Sequence, residues 1–322
     1  MLESNLLHKE EIINAEQLAA IAEFEKSKPM SVHWELKTIL YLGILLLTSG
    51  IGILIYLNID TIGHQTILAL ILLSCGGCFY YAYKNRLPYS NEPVSFPSPL
   101  FDDIILLGCM LFAIFIGYLQ YQYSPFGKHY GFAILIPTVL FFVCAFLFDH
   151  KGILSLAITG LAAWAGVTVT PLQLLNDNDF SSLTLVITAI ILGVSLVVFS
   201  KVSYNRNIKK HFDFSYNNFA ANILFVGTLA ALFTFDLKFI SFLFLALICF
   251  YYIKYAIANQ SFLFLLLSVI YGYIGLTYGF FNLLIHAANE ASLMLGFLYV
   301  AASCAGVILF FIFYKRILGI KK

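Results

Sequence analysis

The run from Lys37 to His64, KTILYLGILLLTSGIGILIYLNIDTIGH, constrains this chain more than any other feature: an uncharged apolar stretch, Thr38 to Leu57, stands between a charged foot and a small polar exit. About 20 helical residues rise roughly 30 Å, the depth of a bilayer's hydrocarbon core, so the stretch reads as a first membrane span. The residues before it are polar. Nearly everything after it repeats the same alternation of long apolar run and short polar connection.

Composition agrees. The chain is 61% hydrophobic and 11% charged, with a mean hydropathy of +0.90, against about 25% charged residues in an ordinary soluble domain. A soluble globule is excluded. The six cysteines (Cys75, Cys78, Cys109, Cys144, Cys249 and Cys304) all fall inside apolar runs, whereas a secreted disulfide framework would place them in loops. They read as small span-filling residues.

Requiring about 17 to 25 mostly apolar residues per crossing predicts ten spans: 38–57, 66–83, 104–121, 131–148, 152–169, 183–199, 219–235, 239–253, 261–281 and 291–314. The eighth is the shortest, and Lys254 could extend it to Ile257 by carrying its ammonium to the surface along an apolar stem. Lys and Arg concentrate in cytoplasmic segments of membrane proteins. With the N-terminus inside, all but two of the 18 basic residues fall on the cytosolic side, the exceptions being Lys128 and Lys238. Both termini are therefore predicted to be cytosolic, and a missed or invented central span would scramble that split.

Residues 1–36 are predicted to form a cytosolic helical segment, residues 37–314 the ten-span domain and residues 315–322 a basic cytosolic tail. No apolar run precedes Thr38, so the first span is expected to serve as the insertion signal. Asn14 followed by Gln17 has the spacing of a capping box ahead of the stretch AEQLAAIAEFEK, and Pro29 is expected to stop that helix. The segment is expected to cover apolar surface on the cytosolic loops. Its alternative role is docking or regulatory, as the place for a protein partner. Residues 84–103, with four prolines, read as an extended loop; residues 201–216 read as a basic, Asn-rich loop near anionic headgroups. The opposite face takes its polar surface from Asn176 to Asp179 and from the segment around Pro125.

Inside the spans, Ala162 with Gly166, Gly275 with Gly279 and Ala302 with Gly306 have the four-residue spacing that lets helices approach closely. Pro137 is expected to kink the fourth span. No Asp, Glu or Arg occupies the middle of any span, which disfavours coupled ion transport by a midplane carboxylate.

Candidate chemistry lies on the outer face. Asp60 and His64 are four apart after the first span, and His286 and Glu290 are four apart between the ninth and tenth, so on helical backbone each pair would face one way. Two imidazoles and two carboxylates that met could bind zinc or share acid and base work; solvated polar caps are the alternative, since no HExxH or HxxxH spacing is present. Cys75 and Cys78 form a CxxC inside the second span. A redox dithiol needs an accessible thiolate that hydrocarbon opposes, so a tight helix contact is expected. Nothing indicates nucleic acid or a cofactor.

The N-terminal segment and first span resemble the uncharacterised bacterial multi-pass membrane proteins grouped as domain of unknown function 2157. The resemblance rests on Glu16 and Gln17, on the glycine-punctuated LGILLLTSGIGILIYL, and on the exit Asn58, Ile59, Asp60, and it covers roughly the first 85 residues. It implies a multi-pass protein of the bacterial cytoplasmic membrane with no assigned activity.

The expected fold is an all-α polytopic membrane bundle whose constant partner is the lipid bilayer. For function, a non-enzymatic scaffold, sensor or accessory protein is expected. The alternatives are a transporter of a small solute or lipid, and a membrane enzyme with an outer-face site at Asp60, His64, His286 and Glu290.

Overall fold

A computed structural model describes Asn14, Gln17 and residues 33–94, 99–169, 182–287 and 290–320, except for the side chains at 33–35, 55, 58–62, 99, 286–287 and 290–293. Among the described residues, regular structure is entirely helical. Ten long helices follow in chain order: α1 (His33–Ile62), α2 (His64–Lys84), α3 (Pro99–Tyr123), α4 (Tyr130–Phe148), α5 (Lys151–Val169), α6 (Leu183–Asn205), α7 (Asp213–Thr234), α8 (Lys238–Ala258), α9 (Phe262–Ala287) and α10 (Glu290–Ile317). All ten are long and apolar enough to cross a membrane, and each contains or closely overlaps one of the spans expected from the sequence. The eighth runs on through Lys254, whose Nζ lies 4.4 Å from the Phe250 ring.

Several helix boundaries differ from the sequence reading. The loop expected at 201–216 is reduced to 206–212, because α6 continues to Asn205 and α7 begins at Asp213. The cause is burial of polar residues that hydropathy counts against a span: Tyr216 and Asn217 are buried in the first turns of α7. Likewise α3 starts at Pro99, ahead of Ile104, which suits a residue with φ preset and no N–H to satisfy in the first turn.

The chain divides into two compact units, Met1–Leu54 and Ile55–Lys322. In the first, the Asn14 N–H donates to Gln17 Oε1 (3.0 Å) and the Gln17 N–H to Asn14 Oδ1 (2.8 Å), the reciprocal pair of a capping box. The rest of the predicted N-terminal helix, with its Pro29 stop, lies outside the described residues. Within α1, Thr48 and Ser49 return their hydroxyls to carbonyls one turn back, the usual way a hydroxyl is satisfied where water is absent.

In the second unit, successive helices pack as neighbours, and α7 packs against α5, α6, α8 and α9. It is the central helix. Its Phe225 stacks on Tyr271 of α9 at 4.9 Å between ring centroids, in a core with Leu245, Ile248 and Tyr252 of α8 and Phe264 of α9. Hydroxyls inside this unit are satisfied locally: Thr138, Thr228 and Ser268 each donate to the carbonyl four residues back.

Small residues act where backbones meet. A Cβ on Gly275 would lie 2.2 Å from Leu245 Cδ2, and one on Gly160 would lie 2.3 Å from Thr138 Oγ1. The Gly275 and Gly279 pair thus seats α9 on α8, as its spacing suggests. Gly306 meets nothing within 4 Å, and Ala162 and Gly166 line a cavity. Pro137 is buried inside α4. In the CxxC, the contact belongs to the cysteines: Cys75 Sγ donates to the Gly108 carbonyl at 3.4 Å, and a Cβ on Gly108 would lie 2.9 Å from that of Cys78. Gly76 and Gly77 face open space. All six cysteines are free thiols.

Candidate functional site

The four outer-face residues of the sequence reading divide between described and undescribed side chains. His64 is described: it opens α2, and its Nδ1 lies 2.7 Å from the Tyr118 hydroxyl near the end of α3. The side chains of Asp60, His286 and Glu290 lie outside the described residues. At the same end of the helices, buried Gln120 closes the connection from α3 to α4. Its Nε2 donates to the Gly127 carbonyl (3.0 Å) and its Oε1 accepts from the Phe126 N–H (3.1 Å). Residues 176–179 are not among those described. No group of three or more His, Cys, Asp or Glu side chains suited to a metal occurs among the described residues.

The densest polar chemistry lies at the opposite end, where the basic connections gather. Asp149 follows α4 in the left-handed conformation (φ 55°), which lets the chain reverse into α5. One of its oxygens accepts from Lys209 Nζ at 2.8 Å and from His211 Nε2 at 2.5 Å; the other accepts from the Val94 N–H at 2.7 Å. Three connections far apart in sequence are therefore tied to one carboxylate. The side chains of Lys209 and Asp149 are only 1% and 4% exposed. Burial opposes ionisation of Asp149, but the hydrogen bonds from Lys209, Val94 and His211 prevail and hold its carboxyl below the ordinary range. Lys209 also lies 5.1 Å from the centroid of the Tyr89 ring, a favourable place for a buried cation. The adjoining His150 caps α5 by accepting the Ile153 N–H on Nδ1 at 3.0 Å.

A second network follows at the start of α7. Asp213 stands in the first helical turn, where a carboxylate complements the helix dipole. It accepts from Ser200 Oγ (2.5 Å), from Asn217 Nδ2 (3.0 Å) and from the Tyr255 hydroxyl of α8. Beside it opens a cleft of about 650 Å³ between α6 and α8, lined by Lys201, Tyr204, Asn217, Phe250, Lys254 and Tyr255 among others. A separate cavity of about 590 Å³, bounded by α5, α6 and α7, is lined by Ala, Gly, Val and Leu with Thr188 and Asn222. Sequence reasoning missed both networks. Their members are ordinary loop and helix-end residues whose partners lie on other elements.

The arrangement can organise loops, hold ionised groups away from water and present ammonium groups at a bilayer surface. Residues 5–154 match the family model described as predicted membrane protein (DUF2157). The match extends well beyond the first 85 residues that carry the sequence resemblance, into the start of α5. No curated protein and no solved structure matches the chain.

Proposed function

We propose that this multi-pass membrane protein, similar over residues 5–154 to a family of predicted membrane proteins, is a non-enzymatic scaffold or accessory protein of the bacterial cytoplasmic membrane. Both termini and the basic ends of the helices face the cytosol; residues 1–36 are one docking segment for a protein partner, and the loops tied at Asp149 are another. One observation supports this reading above others: the Asp149, Lys209, His211 and Val94 node fixes three connections into one ordered surface. Ordering loops with a buried ion pair is costly, and a shaped loop surface is what a docking role needs.

The test is affinity capture from solubilised membranes, with the full chain compared against a form lacking residues 1–36 and against D149L/K209M, which unties the loops from the carboxylate without stranding a buried charge. Loss of a co-purifying protein from either variant supports docking by the segment that variant alters. An unchanged set of co-purifying proteins contradicts it.

The second reading, transport of a small apolar solute or lipid, is favoured by the cavity bounded by α5, α6 and α7, whose lining is mostly Ala, Gly, Val and Leu. Placing Trp at Ala189 fills that space. A transporter would lose uptake of its solute; a scaffold would keep its partner.

A further inference from the structure

We propose that the cleft between α6 and α8 is a binding site for an anionic phospholipid with a hydroxylated headgroup, of the phosphatidylglycerol class. Helix α7 packs against both α6 and α8, so its first turns form the floor of a V whose walls are those two helices. One wall carries Lys201 and the other Lys254, both exposed, and neither ammonium is paired with a carboxylate among the described residues. Lys254 Nζ is 4.4 Å from the Phe250 ring, which keeps it at the rim.

The floor is polar and buried. Asp213 also lines the cleft, where it accepts from the neutral donors Ser200, Asn217 and Tyr255; its charge offsets one lysine, and with Lys201 and Lys254 the lining stays net positive. Asn217 lines the cleft at 2% exposure, and its Oδ1 has no hydrogen-bond partner among the described residues. A buried acceptor left without a donor is expensive. A headgroup hydroxyl supplies that donor, while the phosphodiester meets the two ammoniums.

The apolar end of the site fits acyl chains. On α6, Val194 and Val198 line an apolar groove bordered by Phe244 of α8, and Val197 and Leu247 of the same two helices line the cleft. Val194, Val198 and Leu247 are all exposed on this face. Basic pockets between helices at the membrane surface are suited to anionic headgroups, with each lysine contributing about 1 kcal/mol, or roughly fivefold in affinity. A soluble phosphate would use the lysines but would have no use for the groove.

Native mass spectrometry of the delipidated full chain, titrated with phosphatidylglycerol or phosphatidylcholine, tests the assignment. The wild-type chain should retain phosphatidylglycerol in preference to phosphatidylcholine. The double variant K201Q/K254Q should lose at least about tenfold of that retention, V194W should weaken it by obstructing the groove, and inorganic phosphate should not displace the lipid. Because Lys201, Lys254 and Val194 are exposed, thermal unfolding of each variant should match wild type and so separate lost binding from lost folding. Equal retention of both lipids, wild-type retention by the double variant, or displacement by inorganic phosphate with V194W unaffected would each overturn the proposal.

Discussion

Lys209 and Asp149, 60 residues apart in the chain, meet at 2.8 Å with their side chains almost wholly buried. Neither is stable there without the other. Replacing Asp149 with Ala strands a buried ammonium, and losing one partner of such a pair costs about 3–5 kcal/mol. D149A should therefore melt far below wild type in detergent, whereas the apolar pair D149L/K209M should recover much of the loss. A double variant no more stable than D149A would show that the carboxylate does more than neutralise Lys209.

The same node makes stability depend on pH. The folded carboxyl of Asp149 sits below its ordinary value, so the folded state binds fewer protons there than the unfolded state. Its contribution is complete above the unfolded value of about 3.9 and is lost as pH falls through the lower folded value. Melting curves of wild type and D149N should differ most near neutral pH and converge in acid. A constant difference at every pH would contradict the assignment.

Close helix approach predicts a contrast between two glycines. G275V must displace Leu245 or separate α9 from α8, since even a Cβ would lie 2.2 Å from Leu245 Cδ2; overpacking of this kind costs about 1–3 kcal/mol. G306V meets nothing within 4 Å and should leave the melting temperature of the detergent-solubilised chain unchanged. Thermal unfolding of the two variants side by side checks both.

At the other end of the bundle, Y118F removes the hydrogen bond to His64 while leaving the ring in place. The expected cost is about 1 kcal/mol. An outer-face enzyme would show a far larger effect on function from D60A, H64A, H286A or E290A than on melting. Matching small effects on both would leave these residues as polar caps.

The spans were legible because about 20 uncharged residues in a row have few alternatives to crossing a bilayer. The Asn14 and Gln17 capping box was legible because both partners lie within one helical turn. The start of α7 was not, since Asp213, Tyr216 and Asn217 look like loop residues until Ser200 and Tyr255 from neighbouring helices bond Asp213 and Asn217 and Phe199 of α6 packs edge-on to the Tyr216 ring. Asp149 and Lys209 were illegible for a related reason. Each adopts a left-handed backbone (φ 55° and 45°) without being glycine, and their attraction depends on a reversal between helices that no local spacing encodes.

The most direct test of the account is the side of the membrane on which the tied loops lie. Short epitopes inserted after Asn91, in the loop held by Asp149, and after Lys128, in the connection closed by Gln120, can be probed with antibody on spheroplasts before and after the membrane is opened. The epitope after Lys128 should be detected on intact spheroplasts and the one after Asn91 only after opening. Detection of the Asn91 epitope on intact spheroplasts would contradict the cytosolic placement of the surface on which the proposed docking role depends.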